Sequence, residues 1–211
     1  VLEEAGIRPD YVTGTSAGSL VAALYASGKT GAQLQQVADS MEEAAFADWM
    51  LPIFNRGMLR GEALARYVNQ QVGNRLIENM VLPLGIVATD LNSGQGVLFQ
   101  RGDTGTAVRA SSAVPSVFQP VSISGRDYVD GGLHGTASLD LAIENGAKLV
   151  ICINPMVPIN ASKDHPENHY IRDHGLQAIV NQAVRTLLHS SLRYHIKNLQ
   201  VKYPDVDIIL I

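Results

Sequence analysis

A glycine-flanked serine, Gly14-Thr15-Ser16-Ala17-Gly18, stands where a β-like run gives way to a helix-like one. Asp10-Tyr11-Val12-Thr13 reads as a short strand, and Ser19 to Ser27 is rich in helix-forming and apolar residues up to a stop at Gly28. A strand that feeds a helix through so short a turn favours α/β packing and places Ser16 on the bend, with its hydroxyl pushed outward. Gly14 and Gly18 are expected to remove Cβ atoms that would clash where strand and helix approach. The amides that open the helix, that of Ala17 among them, point at the same spot and favour developing negative charge. This is the geometry of a nucleophile elbow. The plainer alternative is a glycine-rich turn in which Ser16 only caps the helix.

The rest of the chain fits that class. Its 211 residues are enough for one substantial core and few for two, so a single domain over 1–211 is expected. With 46% hydrophobic and 17% charged residues, the composition is that of a well-buried α/β domain. A net charge of -4 leaves no basic footprint of the kind that nucleic-acid binding needs. No run of about 18 apolar residues occurs, so no membrane-spanning helix is expected. The one cysteine, Cys152, lies in an apolar run and is expected to pack as a small hydrophobe; it fits a reducing compartment, which favours the cytoplasm. The opening Val1-Leu2-Glu3-Glu4-Ala5-Gly6 reads as the end of a helix, so further residues, a signal peptide among the options, are expected upstream. The closing Ile208-Ile209-Leu210-Ile211 reads as a strand.

Between these ends, helices are expected over Thr30–Asp48, Gly61–Gly73, Thr104–Ala113 and Ser138–Gly146, with an irregular surface segment over Trp49–Gly61. Val81 to Leu91 is too continuously apolar for a one-sided strand and is expected to be buried on both faces. Hairpins are expected through Asn92-Ser93-Gly94-Gln95-Gly96 and through Gly125-Arg126. Leu149–Asn154 reads as a strand, Met156–Gly175 as a polar loop, and Leu176–Lys202 as a long amphipathic helix ended by Pro204. Alternating helices and strands argue for a mostly parallel sheet flanked by helices.

A serine hydroxyl needs a base within hydrogen-bond reach. One candidate is Asp130, which follows an apolar strand and precedes Gly131 and Gly132, although Asp-Gly is also a common turn signal. The other is a histidine, giving a Ser16, Asp130, His order with His134, His165, His169 or His174. An α/β-hydrolase triad sits less well here, because only one strand precedes Ser16. His165, His169 and His174 have ligand-like spacing but no matching cysteine or acidic pair, so no metal is expected; a solvated loop is their simpler reading. His189 and His195 lie on the long helix and are expected to be packing or surface residues.

Four ordered blocks resemble the bacterial patatin-like phospholipases. They are Gly14–Gly18; Ala88-Thr89-Asp90-Leu91 with Gly94; Arg109-Ala110-Ser111-Ser112-Ala113-Val114-Pro115 leading to Phe118 and Pro120; and Val129-Asp130-Gly131-Gly132. The resemblance runs from Val1 to about Pro155, roughly three quarters of the chain. The resemblance implies a patatin-like fold and a lipid acyl hydrolase of phospholipase A or lysophospholipase type. Ser16 would be the nucleophile and Asp130 the base of a histidine-free dyad, with Gly131 and Gly132 near the site. It implies no cofactor, a lipid or acyl-ester substrate, and transient contact with a membrane surface. In that family a glycine-rich oxyanion loop and its strand precede the helix with which this chain opens, so both are expected upstream of Val1. Arg109, Ser111, Ser112 and Pro115 are expected to shape the site's surroundings, Arg109 by pairing with a carboxylate, and Asp90 to fix a loop. The family's usual sequence after Asp-Gly-Gly is replaced here by Leu133-His134-Gly135-Thr136-Ala137-Ser138, and residues 156–211 match no motif. An acyltransferase or general carboxylesterase would use the same dyad. A catalytically silent lipid-binding module would lack the oxyanion loop. Head group, acyl position and oligomeric state have no signature in these residues.

Overall fold

The computed structural model describes residues 2–44, 57–115, 118–135, 137, 139–158 and 175–211. The expected Met156–Gly175 loop, with His165, His169 and His174, falls largely outside the described residues, as do the end of the Thr30–Asp48 helix and most of Trp49–Gly61. Contacts gather the chain into two compact units, Val1–His134 and Gly135–Ile211, where one domain is expected from length.

The first unit opens on the end of a helical turn. Gly6 has φ 74°, its N–H bonds the Glu3 carbonyl, and the Ile7 N–H bonds the Leu2 carbonyl, which is a Schellman closure. Strand β1 (Val12–Thr15) then leads into α1 (Ala17–Ala26). Thr30 and Gln33 bond each other's backbone N–H groups as a capping box at the start of α2 (Gly31–Ala44). Helix α3 (Gly57–Gln71) begins before the expected Gly61, inside what reads as an irregular segment. Strand β2 (Leu84–Asp90) follows, buried at every position as its unbroken apolar run demands. Next come β3 (Gly96–Phe99), α4 (Thr104–Ser111, capped by the Asp103 carboxylate on the Thr106 N–H), β4 (Val121–Ile123) and β5 (Arg126–Asp130).

The α/β class holds, and the sheet is mixed rather than mostly parallel. β1 pairs parallel to β2, whereas β2–β3, β2–β5 and β4–β5 are antiparallel. For β2–β3 and β4–β5 the cause is local: strands joined by turns as short as those before Gly96 and Arg126 can only reverse direction. The pairing has a consequence for the site. β3 lies along Ile86–Thr89, covering one edge of β2. On the other edge, Thr15 of β1 faces Val87 and Asp130 of β5 faces Ala88. Because β1 runs with β2 and β5 against it, their C-terminal ends converge at that step.

Helices α1, α3 and α4 cover the sheet through a core of Leu20, Ala23, Leu24, Val68, Val72, Ile77, Ile86 and Val108. A smaller cluster of Ala88, Ala110, Ala113, Val121 and Tyr128 continues it, with Phe99 set edge-on to Tyr128 at 5.0 Å between ring centres.

Among the described residues the second unit has α5 (Leu139–Glu144), β6 (Leu149–Cys152), α6 (Leu176–Lys202) and β7 (Asp207–Leu210), with β6 and β7 parallel. Gly146, at φ 95°, ends the turn after α5. Leu139, Ile143, Val150, Cys152, Leu192, Ile196 and Leu199 form its core, so Cys152 is a buried free thiol. Among the described residues no helix is long and apolar enough to cross a membrane.

Candidate active site

Ser16 occupies the bend between β1 and α1 with φ 54° and ψ -128°, a backbone region that a residue with a Cβ rarely adopts. Such a conformation costs of order 1–3 kcal/mol and persists only where its surroundings impose it. Four contacts do so. The Ser16 N–H donates to Ser111 Oγ at 2.9 Å, and that hydroxyl donates to the Val87 carbonyl at 2.5 Å. The Ser16 carbonyl accepts from the Ser19 N–H at 2.9 Å and from Ser19 Oγ at 2.6 Å. Gly14 is buried, and a Cβ there would run into the Gly18 carbonyl and Ser19 Cα. Gly18 differs from the expectation: a Cβ on it would meet nothing within 4 Å, because the residue faces outward at the first turn of α1.

The Ser16 side chain makes no helix-capping bond. It donates instead to Asp130 Oδ2 at 2.6 Å. Asp130 is 7% exposed, its Oδ1 accepts from the Gly132 N–H at 2.8 Å, and its main chain is pinned on both sides. The Asp130 N–H donates to the Ala113 carbonyl at 3.0 Å, and Thr89 Oγ1 donates to the Asp130 carbonyl at 2.9 Å while accepting from the His134 N–H at 3.2 Å. Gly131 lies against the Val87 carbonyl and the Thr15 methyl, where no side chain fits. Burial pushes the Asp130 carboxyl above its ordinary value, against the opposing pull of the Ser16 and Gly132 hydrogen bonds. Such a carboxylate is a better proton acceptor than an exposed one.

Ala17 and Gly18 are exposed, and among the described residues neither N–H has a hydrogen-bond partner. Both belong to the first turn of α1, whose amides lack intrahelical acceptors. The residues named from sequence therefore gather at one place: Ser16 and Asp130 in contact, Gly131 and Gly132 shaping the carboxylate's turn, and Gly14 to Gly18 forming the bend.

No described histidine stands beside this pair. His134 follows it by four residues, but its ring lies over Gly96 with Nδ1 3.3 Å from the Gly94 carbonyl. Both Asp130 oxygens are already engaged, by Ser16 and by the Gly132 N–H. Arg109 pairs with Glu62, and Asp90 holds the hairpin turn by accepting from the Asn92 and Ser93 N–H groups and from Arg126. His189 and His195 lie on α6, and no group of three His, Cys, Asp or Glu among the described residues is placed to hold a metal.

Ser111 and Thr89 hold the site together; Ser111 is among the residues expected to shape its surroundings, whereas no part is expected of Thr89. Ser111 is one of two serines in the Ala110–Ala113 run, and only the folded position of α4 separates its role from that of Ser112, whose hydroxyl has no partner among the described residues. Thr89 sits in a buried strand where its hydroxyl looks like any β-branched filler.

A sequence model described as patatin-like phospholipase matches residues 1–143. An NTE family protein of Mycobacterium bovis is 35% identical over 133 residues, covering 63% of this chain and 37% of the relative. An NTE family protein of Mycobacterium tuberculosis is 30% identical over 155 residues, covering 72% and 26%. The mouse patatin-like phospholipase domain-containing protein 6 is 30% identical over 161 residues, covering 72% and 12%. The chain thus spans little more than a third of these curated relatives at most.

Proposed function

We propose, because this chain belongs to the patatin-like phospholipase family, that it hydrolyses carboxylic esters of lipids through Ser16 and Asp130. The observation that carries the reading is the 2.6 Å hydrogen bond from Ser16 Oγ to a buried aspartate, made from a strained bend. Strain at one residue, with a basic group against its hydroxyl, is what an activated nucleophile needs.

Ser16 Oγ attacks the ester carbonyl carbon as its proton passes to Asp130 Oδ2. The carbonyl oxygen, now negative, faces the free N–H groups of Ala17 and Gly18 at the positive end of α1. Collapse of the tetrahedral species breaks the carbon–oxygen bond to the leaving alcohol, which takes the proton back from Asp130 and leaves an acyl group on Ser16. Water then attacks the acyl carbon, giving one proton to Asp130, and the released Ser16 oxygen recovers it as the fatty acid departs. Asp130 serves in both halves because the same carboxylate oxygen faces the Ser16 oxygen throughout.

Labelling with a fluorophosphonate ester tests this directly, with hydrolysis of phospholipid, lysophospholipid and short acyl esters measured alongside. Modification at Ser16, lost in Ser16→Ala together with turnover on all three esters, is the expected result. A folded protein that is not labelled at Ser16 would refute the hydrolase reading.

A further inference from the structure

The longest helix of the second unit has two apolar faces. Leu192, Ile196 and Leu199 are buried in that unit's core. On the opposite side Val180, Leu187, Tyr194 and Val201 recur every seven residues, with Leu176 one turn before them, and all five are exposed: Leu187 by 68%, Tyr194 by 69% and Val201 by 84%. At about 100° per residue these side chains form one stripe down the outer face. A covering helix needs only its inner stripe, so the outer one is unexplained by packing.

Charge says what it fits. Over Leu176–Lys202 the charged residues are Arg185, Arg193, Lys197 and Lys202, with no acidic residue, whereas the rest of the chain has 12 basic against 20 acidic residues. Arg185 reaches the Pro155 and Val157 carbonyls at 3.3 and 3.2 Å and belongs to the inner side. The other three are exposed, with Arg193 and Lys197 along one margin of the stripe and Lys202 along the other. An apolar strip edged by cations on both sides suits the boundary of an anionic bilayer, where aliphatic groups enter the acyl region and the basic heads meet phosphates. A second copy of the helix would set these cations against their own kind, with no carboxylate on α6 to pair them.

We propose that the outer face of α6 docks the protein on an anionic lipid surface, lying in the interface rather than crossing it. This surface includes neither Ser16 nor Asp130 and does not depend on their chemistry, so binding is measured on the Ser16→Ala chain, which leaves the vesicles intact. Co-sedimentation with phosphatidylcholine vesicles is compared with vesicles carrying roughly one third phosphatidylglycerol, at low and high salt. The expected result is binding at least about tenfold tighter to the anionic vesicles, weakened by salt, and cut roughly thirtyfold by the Arg193→Gln/Lys197→Gln pair. Leu187→Gln should also weaken it, with an unchanged melting curve and, in the Ser16 background, unchanged hydrolysis of a soluble short-chain ester. Equal binding to both vesicle types, or variants that bind like the parent, overturns the proposal. So does a chain that is dimeric in solution and becomes monomeric in Leu187→Gln, since the stripe then belongs to a second copy.

Discussion

Ser16 and Asp130 lie 114 residues apart and meet because the ends of their strands converge on adjacent residues of β2, Val87 and Ala88. Neither side chain has to reach. β1 delivers the serine from one direction and β5 the aspartate from the other, and the buried central strand holds both ends to its own spacing. The distance between the hydroxyl and the carboxylate is thereby tied to a strand that is buried at every position, which is where a site that must hold its geometry is best built.

Burial raises the Asp130 carboxyl above the 3.8 of an ordinary aspartate, and a base must be unprotonated to act. Turnover is therefore expected to fall as pH drops through that raised value, with the acid limb of the kcat/KM profile displaced upward. The same shift works against stability. The folded protein holds this proton more tightly than the unfolded chain does, so stability declines as pH rises from the unfolded value through the folded one. Asp130→Asn should remove that decline while lowering kcat by about 10²–10⁴-fold. Thermal melts and rate profiles across the acid range check both; undiminished turnover in Asp130→Asn removes the dyad.

Ser111→Ala takes away the acceptor for the Ser16 N–H and the donor to the Val87 carbonyl in one step. The expected cost is about 1–3 kcal/mol of stability, since Ser111 is fully buried and two backbone groups lose its hydroxyl. On the proposed mechanism the strained bend then relaxes, and kcat should fall by roughly ten- to a hundredfold with KM little changed, because the hydroxyl holds the Ser16 backbone. Steady-state kinetics on a soluble ester separate the two parameters. A KM effect alone would place Ser111 in substrate binding.

Thr89→Val preserves branching and volume in a strand that is buried at every position, so the sheet packing should survive. What goes is the hydroxyl between the Asp130 carbonyl and the His134 N–H. Denaturant melts should show a loss of about 1–3 kcal/mol, with kcat falling further than stability alone explains as the Asp130 turn loosens. Equal kcat in the variant and parent would confine Thr89 to a structural part.

Much of this was legible in the residues, and what was not shares a physical cause. Leu176–Lys202 is helical over the expected span because its apolar period is local and Pro204 stops it. The buried character of β2 follows from Leu84–Asp90 having no polar alternation. Strand direction is different: the hairpin turns force β3 to run against β2 and β5 against β4, yet helix–strand alternation alone points to parallel pairing. Helix α3 starts at Gly57, where two glycines four residues apart lower the local helix propensity that a reading of the sequence rests on. Ser111 and Thr89 stand in motif blocks, and Ser111 is expected to shape the site's surroundings, but the partner of neither hydroxyl follows from local sequence, since it is decided by which distant backbone group the fold brings to it.

The two glycines of the elbow make the sharpest contrast. Gly14 is buried where a Cβ would strike the Gly18 carbonyl and Ser19 Cα, both backbone atoms of the helix that follows Ser16. Neither can yield without moving α1, so Gly14→Ala should lower stability by about 1–3 kcal/mol or more and displace Ser16 from Asp130, with turnover falling at least in proportion. Gly18 has open space around its Cβ direction and no positive φ, and it sits in a helix, where alanine is favoured by up to about 1 kcal/mol. Gly18→Ala should therefore keep or raise the melting temperature. Its effect on kcat/KM then reads something the fold does not require: a loss in the face of unchanged stability means that substrate approaches the first turn of α1 closely, as an oxyanion bound to the Ala17 and Gly18 amides would.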